Sequence, residues 1–223
     1  MAKADVPRPR PSGASSPPPR IFLVRHGQTA CNAARVFQHP DTPLSERGLR
    51  EAERVAVRLA GAGIALVLAS DFARARATAE RVGAASAAPV EIEPLLEERH
   101  FGALRGRPYA EVGADAFARD FAPPGGETWN AFEARVDRAW ERVLAAARRA
   151  RGPLAVVTHG LVCRSLLARH LALSAGADPG RGFRNTSLTV IEAAPPHTVS
   201  LLACVAHLEG PGEGGPAWDM LPP

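Results

Sequence analysis

Apolar residues fall along this chain in two kinds of pattern, short unbroken runs and longer stretches with helical spacing. The runs Ile21 to Val24, Ala65 to Ala69 and Leu154 to Val157 have the length and composition of strands buried on both faces. Leu49, Ala52, Ala56 and Leu59 recur at helical spacing after Ser45, and a second helix is predicted after Asp71. A long amphipathic helix is expected over 127–150, carrying Trp129, Phe132, Val136, Trp140, Val143 and Leu144, and another over 161–173. Residues 187–192 and 199–205 read as closing strands, with Pro195 and Pro196 in their connection. Strands alternating with helices predict an α/β fold whose mainly parallel sheet is covered on both faces. The stretch 97–126, rich in glycine and proline, reads as an irregular lid or substrate loop on that rigid frame.

Composition sets the boundaries. Residues 1–19 are Pro-rich and nearly free of large apolar side chains, which predicts a disordered tail, with one domain over 20–210 and a loose tail over 211–223. Lys3, Arg8, Arg10 and Arg20 against Asp5 account for three of the four formal positive charges, so the body offers no basic face for nucleic acid. No apolar run follows the basic residues of the tail, and none elsewhere reaches the length of a membrane span. A cytoplasmic protein, a monomer or homodimer without a membrane or nucleic-acid partner, is therefore expected. Cys31, Cys163 and Cys204 are odd in number and far apart, which fits reduced thiols better than disulfides or a metal site.

The chemistry lies where two of the runs stop. Ile21 to Val24 enters Arg25-His26-Gly27, and Leu154 to Val157 enters Thr158-His159-Gly160. In a parallel sheet ligands bind beyond the carboxyl ends of the strands, so the two histidines converge on one crevice. Gly27 and Gly160 permit sharp turns and close approach of a ligand, and the helix after Gly160 aims backbone N–H groups at the same place. Arg25 and Arg74 add guanidinium groups suited to phosphoryl oxygens. A neutral His26 can then attack phosphorus, with the arginines and a protonated His159 stabilising the developing charge and no cofactor or metal required. Glu98, at the entry to the lid, is the candidate proton donor, provided that its pKa is raised. Arg99 on the lid serves either loop structure or substrate contact.

Residues 25–32, RHGQTACN, resemble the RHGxTxxN signature of the histidine phosphatase superfamily, also called phosphoglycerate mutase-like. Five further segments resemble that family in its order: PLSERG at 43–48, SDFARA at 70–75 with Thr78-Ala79, ERHFG at 98–102, PGGET at 124–128 and VTHG at 157–160. The resemblance covers about residues 21–208. It implies a three-layer αβα sandwich and a phosphohistidine on His26, with Glu98 as proton donor. It places Arg25, Arg74, His159 and Asn32 around the phosphate and substrate, and Gly27, Thr29, Gln38, Arg99 and Gly160 are further substrate-binding candidates. His39-Pro40 after Gln38 departs from the family pattern, as do Glu51, Ala77 and Leu104-Arg105. Mutases of this family carry a longer basic insertion between the lid and the second histidine, so a small phosphorylated metabolite and a hydrolase are expected. A mutase is the first alternative, and a non-catalytic phospho-ligand-binding module the second.

Overall fold

The computed structural model describes residues 19–174 and 182–209. The two predicted tails, apart from Pro19, Arg20 and Glu209 at their edges, lie outside the described residues. In chain order the elements are β1 (Arg20–Arg25), α1 (Ala30–Ala34), α2 (Glu46–Leu59), β2 (Leu66–Ala69), α3 (Ala73–Ser86), β3 (Val90–Ile92), α4 (Tyr109–Val112), α5 (Trp129–Arg149), β4 (Leu154–Thr158), α6 (Gly160–His170), β5 (Ala172–Leu173), β6 (Leu188–Glu192) and β7 (Thr198–Cys204). They build one seven-stranded sheet in the order β3-β2-β4-β1-β6-β7-β5. β6 runs antiparallel to both of its neighbours, and the other pairings are parallel.

Alternation along the strands sorts the core into two layers. Ile21 and Leu23 of β1 pack with Phe132, Val136 and Trp140 of α5 and with Val162 and Leu166 of α6. Phe22 and Val24 point the other way, onto Val55 and Leu59 of α2 and Ala75, Ala79 and Val82 of α3. Because the central strands are covered on both sides, they read as continuous apolar runs, and the three-layer sandwich follows. No helix among the described residues is long and apolar enough to cross a membrane.

One element departs from the expected pattern. The helix predicted over 161–173 ends at His170, where Leu171 turns extended (φ −112°, ψ 140°), and Ala172 and Leu173 pair with Thr198 and Val199 as an edge strand. Leucine and alanine suit either state, so the sheet edge decides.

Two glycines set the geometry beside β1. A Cβ on Gly27 would lie 2.5 Å from the Gly48 carbonyl oxygen, and one on Gly48 would lie 1.9 Å from that of Gln28. The first turn of α2 therefore rests directly on the turn that follows His26. Ser45 caps α2 by accepting from the Gly48 N–H at 3.1 Å, while the Ser45 N–H bonds the Gln28 carbonyl. Gly48→Ala is expected to cost about 3 kcal/mol, as overpacking against backbone does. Thermal unfolding and kcat/KM measured together check this, since the displaced segment carries His26.

Candidate active site

Three strand ends meet at the site. Arg25 of β1 pairs in register with Thr158 of β4, so His26 and His159 lie side by side, with ring centroids 5.1 Å apart. Ser70 follows β2, and its N–H bonds the Val157 carbonyl. The ends of β1, β2 and β4 thus deliver His26, Ser70 and His159 to one spot at the carboxyl edge of the sheet.

The tautomer of His26 follows from its partners. Nδ1 lies 2.7 Å from the Gly27 carbonyl, which can only accept, so Nδ1 carries the hydrogen. Nε2 therefore presents its lone pair, which accepts from Arg74 Nε at 3.2 Å. Burial first, then Arg74 and Arg25, hold the ring well below its ordinary pKa of 6.5, so it is neutral and nucleophilic at physiological pH.

His159 differs from its expected state. Burial, followed by Arg74, His26 and Arg25, holds it well below 6.5, so among the protein's own charges it is neutral rather than protonated. It can still donate. Ser70 Oγ lies 2.8 Å from Nε2, and Nδ1 is buried without a partner in the protein. With the Ser70 hydroxyl donating to Nε2, the hydrogen sits on Nδ1.

Arg74, at the start of α3, is 1% exposed and held by the His39 carbonyl at 2.9 Å and by the Phe72 ring, 5.0 Å from its guanidinium carbon. Burial lowers its pKa to about 10, with Glu98 opposing, so it stays charged. At the His39-Pro40 departure the backbone bears on the site: the His39 carbonyl fixes Arg74, and the Pro40 carbonyl accepts the Ala73 N–H. Arg25 donates to the Phe183 carbonyl at 2.6 Å.

Glu98 meets the requirement placed on it. Its oxygens accept from the N–H groups of Arg99 (3.0 Å) and Leu161 (3.2 Å), the latter in the first turn of α6. Desolvation raises its pKa above 4.5, outweighing those two bonds and the attraction of Arg74 and Arg25. A carboxyl group whose pKa is raised keeps its proton to higher pH, as a general acid requires.

The catalytic cleft, about 480 Å³, is lined by Arg25, His26, Asn32, Gln38, Arg74, Glu98, Arg99 and Gly160 among the predicted residues, with Leu161 beside them. Across from the histidines its wall is aromatic, made by Phe37, Phe101 and Tyr109. Gly27, Thr29 and the fully buried His159 do not line it. The Gly27 N–H bonds Thr78 Oγ1, and its missing Cβ admits Gly48 rather than a ligand. Thr29 caps α1 and links Asn32 to Gln38, its Oγ1 lying 2.8 Å from Gln38 Oε1. Arg99 serves the loop, donating to the carbonyls of Phe121 and Glu127 with its guanidinium carbon 4.3 Å from the Trp129 ring centre, while it also walls the cleft. Among the described residues no group of His, Cys, Asp and Glu could hold a metal ion.

The predicted lid is anchored rather than free. Phe37 and Arg107 exchange strand-like bonds through Phe37 N to Arg107 O and Gly106 N to Phe37 O, and Phe37 packs against Phe101, Tyr109 and Phe117. Arg135 of α5 donates to the carbonyls of Leu95, Glu97 and Glu98 and pairs bidentately with Glu127. Glu127 in turn accepts from the His100 N–H at 2.9 Å. Burial pushes Glu127 up, but Arg135 and that N–H overcome it, so the pair is ionised. Arg135→Met is expected to lower stability by about 2 kcal/mol or more, because it leaves buried carbonyls unmet. It should also depress turnover of alkyl phosphates more than of p-nitrophenyl phosphate, since Glu98 loses its backbone anchor. Thermal melts and paired kinetics check both.

Several supports are not evident in the sequence. Ser70, Thr78 and Arg135 act through partners far along the chain. Asn185 donates to the His26 carbonyl at 2.9 Å and to Asn32 Oδ1 at 3.3 Å, from a polar segment just before β6.

The histidine phosphatase superfamily (branch 1) model matches residues 21–204. Among curated proteins, a probable phosphoglycerate mutase GpmB of Erwinia tasmaniensis is 31% identical over 85% of this chain and 95% of its own length. Another, from Proteus mirabilis, is 33% identical over 78% and 84%. Among solved structures, a mycobacterial glucosyl-3-phosphoglycerate phosphatase complexed with VO3 aligns at TM-score 0.66 with 30% identity, covering 78% of this chain and 90% of that one. A putative alpha-ribazole-5'-P phosphatase of Escherichia coli aligns at TM-score 0.73 with 29% identity, covering 84% and 97%. With its matched segments placed around two apposed histidines, this chain belongs to branch 1 of the histidine phosphatase superfamily.

Proposed function

We propose that the protein is a phosphomonoester hydrolase acting on a small phosphorylated metabolite through a phosphohistidine on His26, with no resident metal. The observation that carries this reading is the His26 ring, whose Nδ1 hydrogen is committed to Gly27 and whose Nε2 lone pair faces Arg74. In the first step Nε2 bonds to phosphorus as the ester P–O bond breaks, and Glu98 gives its proton to the departing alkoxide. Arg25, Arg74 and His159 Nδ1 stabilise the phosphoryl oxygens through the transition state. In the second step Glu98, now ionised, takes a proton from water as the water oxygen attacks phosphorus. The N–P bond breaks and its electron pair returns to Nε2.

Hydrolysis is favoured over mutase transfer by the cleft wall. A mutase must hold a sugar acid while it turns over, yet the wall facing the histidines is aromatic, and Arg105 and Arg107 of the lid do not line the cleft. The mutase reading is supported by the names of the curated relatives. Inorganic phosphate release from p-nitrophenyl phosphate, sugar phosphates, nucleotides and both phosphoglycerates, without added metal, separates the two. Net release supports the hydrolase, and interconversion of phosphoglycerates without release supports the mutase.

The pH profile has a stated direction. His26 must be neutral and is depressed below 6.5, while Glu98 must be protonated and is raised above 4.5. kcat/KM on alkyl phosphates should therefore be greatest on the acid side of neutrality. It should fall at higher pH as Glu98 ionises and at lower pH as His26 protonates. An optimum in the alkaline range would contradict these roles.

A further inference from the structure

A second cleft, of about 890 Å³, opens beside the catalytic one and shares Leu161 with it as a common wall. Leu161, Arg164, Ser165 and Ala168 line it at spacings of three, four and seven residues, so one stripe of α6 forms a gutter leading away from the phosphate site. Trp129 and Glu133 of α5 and Arg119 form the opposite bank.

The gutter is cationic, with an apolar floor. Arg119, Arg164 and Arg169 line it against a single lining carboxylate, Glu133, which Arg119 and Arg169 share while Asp137 takes the far edge of Arg169. One polar group on the lining stripe is buried and unmet by protein: Ser165 is 6% exposed and its Oγ has no partner. A buried hydroxyl without a partner beside lining guanidinium groups is arranged for an anion.

We propose that this cleft is the leaving-group subsite, which selects phosphomonoesters whose alcohol part is extended and carries a second anionic group. The inference rests on the phosphatase reading for its catalytic context, but binding tests it separately. The phosphoryl group fills the smaller cleft at His26, and the rest of the substrate runs past Leu161 along α6. The anionic end meets the Arg164 and Arg119 guanidinium groups and the Ser165 hydroxyl. This places substrate charge recognition on α6 and on Arg119, not on arginines 105 and 107.

Calorimetric binding of two non-hydrolysable probes to the full chain, phenylphosphonate and 4-(2-carboxyethyl)phenylphosphonate, tests it. Wild type should bind the carboxylated probe about tenfold more tightly, the increment expected of one charge-assisted contact. In Arg164→Gln, and in Ala168→Phe, which fills the gutter from an exposed position, the preference should fall to about twofold or less, with phenylphosphonate affinity unchanged. Equal affinities in wild type, or a preference that survives both variants, overturn the proposal. Hydrolysis of phenyl phosphate, followed in parallel, reports on the phosphatase reading alone.

Discussion

His26→Ala is expected to abolish turnover of every phosphomonoester, by at least about 10⁴-fold, while the protein remains folded. Among the described residues no other imidazole is placed for attack at the same position. His159 lies 5.1 Å away between ring centroids, its Nε2 is engaged by Ser70, and its buried Nδ1 carries the hydrogen and so offers no lone pair for attack. The surrounding cations favour bound phosphate but cannot form the covalent intermediate, so the variant should bind inorganic phosphate and release none from substrate. Arg74 loses one hydrogen-bond acceptor and keeps the His39 carbonyl. A change in Tm of only a few degrees is expected, the scale of about 1 kcal/mol in a domain of this size. Phosphate release and thermal melts on the same preparation check the two halves.

Glu98→Gln should have the second largest effect, and its size should depend on the leaving group. Alkoxides are poor leaving groups, so kcat on alkyl phosphates should fall about 10²- to 10⁴-fold without an acid. The p-nitrophenolate ion leaves unaided, so its release should survive as a burst, followed by slow turnover because water lacks a base. The alkaline limb of the pH profile, assigned to Glu98, should vanish. A merely structural role predicts otherwise. If Glu98 served only to cap α6 by accepting from Leu161, glutamine would keep one acceptor for that bond, and the leaving-group dependence would be absent. Uniform loss across substrates would therefore reassign Glu98 as a support for the helix.

What the sequence made legible follows from where the physical signal is local. β1, β2 and β4 are central strands covered on both faces, so each shows as an unbroken apolar run, and the histidines that follow β1 and β4 could be placed in one crevice. Edge elements gave no such signal. β3 is partly exposed and carries Glu91, β5 has two residues, and α1 has no buried residue and owes its start to a capping box between Thr29 and Asn32. The site divides the same way. His26, His159 and Arg74 stand after strands and could be read, whereas Ser70 and Asn185 act by hydrogen bonds across 89 and 159 positions, and Arg135 on carbonyls 37 to 40 positions away. The resemblance to the family supplied the order of the segments but could not give Gly27 its role. That role comes from Gly48, a contact between two turns that neither pattern nor composition records.

Transfer of the phosphoryl group to His26 Nε2 is the central claim, and trapping the intermediate tests it most directly. Glu98→Gln, mixed with p-nitrophenyl phosphate and quenched within the burst, should yield protein carrying one phosphoryl group that is labile in acid and stable in alkali, mapped by peptide mass spectrometry to His26. A phosphoryl group mapped to any other residue, or a full burst of p-nitrophenolate with no labelled protein, would contradict the account.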